Sequence, residues 1–178
     1  MIKIGVMSDS HQNLNYVEKI TDFLVKHYNI DYIVHLGDDY SDTKVFEKYD
    51  VKVIKVPGVF STRYQDLNIT NRKLVKFEGL YFMVSHTVKS HENDLPTDPV
   101  PEEIIENNKV DVFLYGHSHI PVIEKKNNIL FINPGHLKTE DRKGYPPTVA
   151  LLEVENKYIK VTLMEIDGKI KESQEFNF

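Results

Sequence analysis

Four short polar segments, each at the end of an apolar stretch, carry residue types that bind metal ions. They are Asp9-Ser10-His11, Gly37-Asp38-Asp39, Ser85-His86 and Gly116-His117-Ser118-His119. In Asp-x-His and His-x-His the two side chains stand at i and i+2, on one side of an extended segment. Carboxylates and imidazoles without thiolates suit Mn, Fe, Zn, Ni or Co rather than a structural cysteine-type zinc. Six residues are therefore candidate metal ligands: Asp9, His11, Asp38, His86, His117 and His119.

Each segment also has a simpler interpretation when it is taken alone. In that interpretation His11 would be an ordinary loop histidine, and Asp38 would cap the helix that follows it. The histidines of Gly116–His119 would bond to backbone in a polar turn, and His86 would simply end its strand. Taken together, the segments favour a metal site, because chance alone is a poor explanation for metal-binding residue types at the ends of all four strands. His27 and His35 lie within helix and strand patterns, and we interpret both as structural residues.

The first third of the chain predicts the elements that would position these residues. IKIGVM, IDYIVHLG and VKVIKVPG read as strands. Apolar residues recur every three or four positions from Leu14 to Tyr28, which predicts an amphipathic helix. A short helix is expected from Asp42 to Tyr49. This strand–helix order predicts a parallel sheet with right-handed crossovers, and ligands gather at the carboxyl ends of such strands.

The rest of the chain predicts short strands and hairpins. KLVKF and LYFMVSH, separated by Glu78-Gly79, form one hairpin, and a short helix follows at Glu102 to Asn108. Turns are expected at Asn127-Asn128 and at Glu155-Asn156. The pattern indicates one α/β unit, parallel early and antiparallel late, with two sheets packed face to face between helices.

Composition narrows the partners and the compartment. The 178 residues are 40% hydrophobic and carry a net charge of −5, which argues against an extended nucleic-acid surface. There are no cysteines, and no apolar run approaches the roughly 20 residues that a membrane span needs. Asp9 and His11 interrupt the amino-terminal segment before a signal peptide can form. We predict a cytoplasmic protein with no membrane association, which could form a homo-oligomer.

The motif order resembles a known family. It is similar to that of the calcineurin-like metallophosphoesterases, and most of all to that of their small prokaryotic phosphodiesterases. The motifs, in chain order, are Asp-x-His, Gly-Asp-Asp, a Pro-Gly turn, a strand-end histidine, Gly-His-Ser-His and Asn-Pro-Gly. The resemblance runs from Ile2 to about Glu165. It implies a single metallophosphoesterase domain over residues 1–178, built as a four-layer α/β/β/α sandwich of two mixed sheets flanked by helices. It also implies a dinuclear site, in which Asp9, His11 and His119 hold one metal, Asp38 bridges, and His86 and His117 belong to the second.

One motif departs from the family pattern. The family has Gly-Asn followed by His or by Cys-Asp, whereas Pro57-Gly58 is followed here by Val59-Phe60-Ser61. Val59 has no donor atom for the second metal, so that site would need water, substrate or a neighbour such as Ser61. Phe60 stands where larger members carry a histidine that assists the leaving group. The small residue usual after Asn-Pro-Gly is His136.

The resemblance implies hydrolysis of a phosphate ester, most simply a small phosphodiester, by a metal-bound hydroxide. The cofactors would be two divalent ions (manganese, Fe, Ni, Co or Zn), the second bound weakly. The candidate catalytic residues are Asp38, His86 and His136, and His91 is a second candidate to replace the missing acid. Lys138 and Arg142 either contact the phosphate or are solvated loop cations.

The alternative is a non-enzymatic binding or scaffold domain on the same fold, like the retromer subunit that resembles this family. Val59 and Phe60 favour that alternative. The six retained ligand positions oppose it, because a scaffold has no need of them.

Overall fold

The computed structural model describes residues 1–178, which form eleven β-strands and two α-helices. The strands are β1 (Ile2–Met7), β2 (Tyr32–His35), β3 (Lys52–Lys55), β4 (Arg72–Phe77), β5 (Leu80–Ser85), β6 (Val112–Leu114), β7 (Val122–Lys126), β8 (Ile129–Asn133), β9 (Thr148–Glu155), β10 (Tyr158–Glu165) and β11 (Ile170–Asn177). The helices are α1 (Leu14–Tyr28) and α2 (Pro101–Glu106), and 3₁₀ helices lie at Tyr40–Lys48 and Thr62–Gln65.

The first sheet has six strands in the order β11-β10-β9-β1-β2-β3. β1, β2 and β3 run parallel, as the strand–helix pattern predicted. β9, β10 and β11 extend the sheet from the other side of β1 as antiparallel strands. Because Met7 at the end of β1 pairs with His35 at the end of β2, the segments that follow these two strands leave the sheet side by side.

The second sheet has five strands in the order β4-β5-β6-β8-β7. Its two hairpins, β4–β5 and β7–β8, are antiparallel, as their turn residues predicted. β5, β6 and β8 run parallel to one another, so this sheet is mixed, as the resemblance implied, although the pattern along the chain had placed the parallel strands only in the first part. Turn residues reveal pairs that are adjacent in sequence, whereas these parallel pairs join strands separated by longer connections.

Four layers result from the packing of these sheets. Twenty buried residues form the core between the sheets, among them Ile4 of β1 and Phe82 of β5. On the outer face of the first sheet, Met7 packs with residues of α1 such as Ile20. On the outer face of the second sheet, Ile104 of α2 packs with buried strand residues. The predicted α/β/β/α sandwich is confirmed, and neither helix is long and apolar enough to cross a membrane.

The local predictions differ from the structure mainly at element ends. α1 has the predicted bounds, whereas the helix expected at Asp42 to Tyr49 is 3₁₀ and begins at Tyr40. Asn127 and Asn128 form the predicted hairpin turn, both with positive φ, as tight hairpins require. The turn expected at Glu155-Asn156, between β9 and β10, lies one residue later, at Asn156-Lys157, and both of these residues also have positive φ.

A buried arginine fixes the loop that connects β5 to α2. Arg72 on β4 is only 2% exposed. Its Nη2 donates to both carboxylate oxygens of Asp94 at 2.9 Å. Tyr64 also donates its hydroxyl to Asp94, at 2.7 Å, and the backbone N–H of His91 donates to the same carboxylate at 2.9 Å. The turn that carries His91 is therefore anchored to the second sheet.

Replacing Arg72 should destabilise the protein strongly. Arg72→Met keeps the length of the side chain but leaves the Asp94 carboxylate without its cation, and breaking such a buried pair costs about 3–5 kcal/mol. Urea unfolding of the variant and the wild type measures this difference. A loss below about 1 kcal/mol would contradict the role assigned to the pair.

Acid should weaken the same interaction. Burial by itself would raise the pKa of Asp94, but hydrogen bonds from Tyr64, His91 and Arg72 lower it overall. A carboxylate with a lowered folded-state pKa contributes stability above its unfolded pKa and loses it as the pH falls through the folded value. The free energy of unfolding should therefore fall more steeply in acid for the wild type than for Asp94→Asn, which has no charge to lose.

Candidate metal centre

The carboxyl ends of four strands, two from each sheet, bring the six predicted ligands to one place. Asp9 and His11 follow β1, Asp38 follows β2, His86 follows β5, and His117 and His119 follow β6. Backbone N–H groups of the β6 loop join it to the neighbouring loops. The N–H of His117 donates to Asp9 Oδ2 at 2.9 Å, across the two sheets, and the N–H of Gly116 donates to the carbonyl of His86 at 3.0 Å, within the second sheet.

The backbone is strained at these positions. Five of the six residues have positive φ, between 45° and 73°: Asp9, His11, Asp38, His117 and His119. The left-handed region costs a non-glycine residue about 1–2 kcal/mol. Strain of this kind persists only where surrounding structure enforces it, and it concentrates at functional sites.

Two glycines allow the loops to approach one another. A Cβ at Gly116 would lie 2.7 Å from Asp9 Oδ2 and still closer to Ser8. A Cβ at Gly58 would lie 2.6 Å from both the amide nitrogen and the Cα of Asp38. A side chain at either position would therefore displace one of the two carboxylates of the site.

Four of the candidates form a compact cluster. Asp9, His11, Asp38 and His119 each offer one ligand atom, and these atoms lie within 4.8 Å of one another. His119 Nε2 is 3.2 Å from Asp9 Oδ1 and 3.2 Å from His11 Nε2. Asp9 Oδ1 is buried and has no hydrogen-bond partner, which is costly for a carboxylate oxygen. A divalent cation would satisfy it, so these residues fit a metal ion.

The other two histidines lie on the opposite side of Asp38. His11 Nε2 is 2.7 Å from Asp38 Oδ2, whereas His86 Nε2 is 3.5 Å from Asp38 Oδ1. His117 Nδ1 is 3.2 Å from His86 Nε2. His86 Nδ1 lies 2.7 Å from the carbonyl oxygen of Leu36 and must donate to it, which leaves Nε2 as an acceptor facing Asp38. The two oxygens of Asp38 thus face two separate groups of imidazoles.

The pKa shifts of Asp9, Asp38 and His117 favour the forms that bind metal ions. Burial by itself would raise the pKa of Asp9, but the imidazoles of His119 and His86 lower it to about 2. Burial also opposes ionisation of Asp38, and contact with His11 more than offsets it, so that its pKa is lowered. Burial lowers the pKa of His117. Ionised carboxylates beside a neutral imidazole are the forms that bind metal ions.

Asp141 supports the cluster, although the sequence did not point to it. Its Oδ2 accepts a hydrogen bond from His119 Nδ1 at 2.6 Å, so His119 Nε2 is free to act as a ligand. Lys138 Nζ lies 3.2 Å from the same oxygen. Carboxylates commonly orient metal-binding histidines in this way. Asp141 lies 22 residues from His119 in a loop without a recognisable motif, so only the fold reveals the pair.

A second polar network holds the Asp9–His11 loop from behind. Ser10 donates its hydroxyl to Asp42 Oδ2 at 2.7 Å and lies 3.2 Å from His35 Nε2. The backbone N–H of Gln12 donates to the same carboxylate at 3.0 Å. Burial lowers the pKa of His35 to about 4, so this histidine is neutral. Its interpretation as a structural residue agrees with this environment.

The segment that departs from the family pattern forms one wall of the site. Val59 is buried, and its carbonyl accepts a hydrogen bond from Asn93 Nδ2 at 2.9 Å. Phe60 is 72% exposed, and its ring meets His91 edge-on at 5.3 Å. Ser61 Oγ accepts a hydrogen bond from the backbone N–H of Arg63. Phe60 and Ser61 line a cavity of about 260 Å³ together with His11, Asp38 and Asp39.

The remaining candidates lie in different environments. His136 is fully buried, with Nε2 3.0 Å from the carbonyl of Tyr145 and Nδ1 accepting from the N–H of Lys138 at 3.1 Å. Both of its ring nitrogens are thus engaged. Lys138 is paired with Asp141, and Arg142 is exposed. His91 lies at the rim of the site, with its ring 6.4 Å from that of His117.

Residues 2–157 match the family model described as the calcineurin-like phosphoesterase superfamily domain. The chain belongs to this superfamily. The resemblance inferred from the motifs is thereby confirmed, as is the identification of the protein as a phosphoesterase-type enzyme. Members of the superfamily use divalent metal ions, and the Asp9–His11–Asp38–His119 cluster fits such an ion.

Several known proteins are similar to this member of the superfamily. Phosphodiesterase MJ0936 of Methanocaldococcus jannaschii is 28% identical over 180 residues, covering 92% of this chain and 100% of its own. The solved structure of YfcE, a phosphoesterase from E. coli, is 23% identical with a TM-score of 0.68, covering 97% of this chain and 98% of its own. The structure of Vps29 from Entamoeba histolytica, complexed with Zn²⁺, has the same TM-score at 17% identity, covering 99% and 100%.

Two substitutions should distinguish the two sides of the metal centre. Asp38→Ala removes the only carboxylate that faces both groups of imidazoles, so we expect loss of all bound metal and of all activity. His119→Ala should reduce bound metal to about half, because the His86–His117 group remains. Elemental analysis of both variants, purified in excess Mn²⁺, measures the metal per chain. Normal metal content in Asp38→Ala would refute a shared carboxylate.

Proposed function

We propose that the protein hydrolyses phosphodiesters at a dinuclear metal centre. In this assignment Asp9, His11, Asp38 and His119 would hold one divalent ion. His86 and His117, with Asp38 as the shared ligand, would hold the other. The observation that carries the proposal is the position of Asp38, whose Oδ2 lies 2.7 Å from His11 and whose Oδ1 lies 3.5 Å from His86. The simplest test is hydrolysis of bis(p-nitrophenyl) phosphate by metal-loaded protein, with a chelated sample as the control.

Divalent ions held by these residues would supply Lewis-acid stabilisation of the phosphoryl oxygens and would lower the pKa of a coordinated water. The chain's own residues orient the reaction. Asp141 and Leu36 fix the ring nitrogens that His119 and His86 present to the site. The two carboxylates neutralise only part of the charge of two ions, so the cleft remains attractive to a phosphate in an otherwise acidic protein. A hydroxyl is added to phosphorus, one phosphorus–oxygen ester bond breaks, and the leaving oxygen takes a proton.

His91 is better placed than His136 to give that proton. His136 is buried with both ring nitrogens engaged. His91 Nδ1 accepts a hydrogen bond from the backbone N–H of Asn93 at 3.2 Å, so in the neutral ring the proton resides on Nε2. Through Asp94, the buried Arg72 holds the His91 turn against the second sheet. We therefore assign His91 to the leaving-group side and keep His136 as a positioning residue.

Removal of His91 should affect poor leaving groups selectively. A p-nitrophenolate departs without a proton, whereas an alkoxide needs one, and general acid assistance is worth about 10²–10⁴-fold. We expect His91→Gln to reduce kcat for a dialkyl phosphodiester, which can only lose an alkoxide, with little change for bis(p-nitrophenyl) phosphate. The matched variant His136→Gln should leave the ratio of the two rates unchanged. If the ratio of the two rates is the same in the wild type and in His91→Gln, His91 does not protonate the leaving group.

Restoring a donor at residue 59 should strengthen the second metal site. His86, His117 and Asp38 offer three ligand atoms there, and the valine offers none. Val59→Asn should therefore tighten the second, weaker step of a Mn²⁺ titration and raise activity at limiting metal, with less gain at saturation. Val59→Thr, close in size to valine, controls for the cost of burying a polar group. Unchanged affinity in Val59→Asn would mean that another group already completes the site.

A non-catalytic role is the second candidate, and two observations favour it. Vps29 shares the fold, and Phe60 exposes 72% of its surface beside the site. The full set of carboxylates and imidazoles argues for the enzyme, because strained backbone and an orphaned Asp9 oxygen have no use in a scaffold. Metal-loaded protein without activity on any phosphodiester would favour the scaffold.

A further inference from the structure

A larger cavity adjoins the metal centre. It has a volume of about 700 Å³ and shares Asp39, Phe60 and Ser61 with the cavity that opens on His11 and Asp38. Because the two cavities share these walls, a molecule bound at the metal centre can extend directly into the larger one. Three basic residues line the larger cavity: Lys44, Lys55 and Arg63. We call it the cationic groove.

Lys55 is the most informative residue of the cationic groove. It is half-buried, its Nζ donates to Thr43 Oγ1 at 2.9 Å, and it lies 4.4 Å from the centroid of the Tyr40 ring. Neither Lys55 nor Lys44 takes part in an ion pair of the structure. A partly desolvated ammonium without a carboxylate is unfavourable. Burial accordingly lowers the pKa of Lys55, and a bound anion would offset this cost.

Phe60 stands where the cavity at the metal centre meets the cationic groove. Its ring meets His91 edge-on, lies 6.1 Å from the ring of His117 and is largely exposed to solvent. An exposed aromatic face beside a cationic groove is the arrangement with which proteins bind a nucleobase and its phosphate, since base–aromatic stacking is worth about 1–3 kcal/mol in measured cases. The groove thus combines a surface for a flat ring with a site for an anion.

We propose that the cationic groove binds a nucleoside arm of the substrate that carries a second phosphate. The base lies against Phe60, and the second phosphate lies at Lys55, with Lys44 and Arg63 nearby. The reaction remains hydrolysis of one ester bond at the metal centre, so this inference rests on the proposed function. It narrows the substrate from any phosphodiester to one the size of a phosphorylated dinucleotide.

The surroundings favour a short substrate over a polymer. The protein carries a net charge of −5, and acidic residues Asp39 and Glu47 also line the cationic groove. A nucleic-acid backbone needs an extended basic surface, whereas three cations in one cavity suit a single phosphate. A separate, smaller cavity of about 240 Å³ is lined by residues 87–91 and 115–118, which include both His91 and His117, and can accept the leaving group.

The test compares two chromogenic substrates that differ by one phosphate. They are the p-nitrophenyl ester of thymidine 5′-phosphate and the same ester with a 3′-phosphate. In both, water is consumed, the bond from phosphorus to the aryl oxygen breaks, and p-nitrophenolate leaves. A charge-assisted contact to the added phosphate should lower KM about ten- to hundredfold in the wild type, with little change in kcat.

Two lysines of β3 provide the matched variants. Lys55→Met should bring the KM ratio of the two substrates close to one. Lys52→Met should preserve the ratio, because Lys52 has a similar position over a tyrosine ring, 5.2 Å from that of Tyr32, but lies outside the cationic groove. Phe60→Leu should raise KM for both nucleoside substrates and leave their ratio intact. The inference is overturned if the KM ratio of the two substrates is near one in the wild type, or if Lys55→Met leaves that ratio unchanged.

Calorimetry separates failure of the inference from failure of the proposed function. Thymidine 3′,5′-bisphosphate should bind metal-loaded wild type at least tenfold more tightly than thymidine 5′-phosphate, and Lys55→Met should remove the difference. If bis(p-nitrophenyl) phosphate is not hydrolysed but this preference holds, the proposed function fails while the groove stands. If the diester is hydrolysed without such a preference, the assignment of the groove is wrong.

Discussion

The carboxylate of Asp38 lies between imidazoles that belong to different sheets, and the arrangement of the site depends on this position. His11 approaches one oxygen from the first sheet, and His86 approaches the other from the second. The residue has a positive φ, and the backbone of Gly58 lies too close for any side chain at that position. The parallel pairing of β1 and β2 and the face-to-face packing of the sheets are what place these loops within reach of one another.

Buried polar networks hold three segments of the site separately. Ser10, His35 and Asp42 support the Asp9–His11 loop, Asp141 orients His119, and Arg72 with Asp94 anchors the turn of His91. Apolar packing alone is non-directional, so it cannot hold strained loops to a defined geometry. Hydrogen bonds to buried charges can, because their loss leaves an unsatisfied group. The networks therefore hold the side chains of the site in fixed positions on the sandwich.

The Val59-Phe60-Ser61 segment is where this chain differs most from the pattern it resembles. A donor is lost at Val59, and an exposed aromatic ring stands at Phe60 beside the cationic groove. In our proposal the same segment weakens the second metal site and forms the wall against which the substrate lies. Affinity for the second ion and choice of substrate would then be linked through adjacent residues.

The motifs of the sequence were sufficient to predict the superfamily, the layered fold and a cluster of Asp9, His11, Asp38 and His119, because residue types at strand ends are local features. They also predicted α1 and the β4–β5, β7–β8 and β9–β10 hairpins from periodicity and turn residues. The parallel pairing of β5, β6 and β8 could not be predicted, since it joins segments separated by long connections. Nor could the roles of Asp141 and Lys55, or the burial of His136, be read from neighbouring residues. Hydrogen bonding and desolvation depend on which distant segments pack together, and only the tertiary structure decides that.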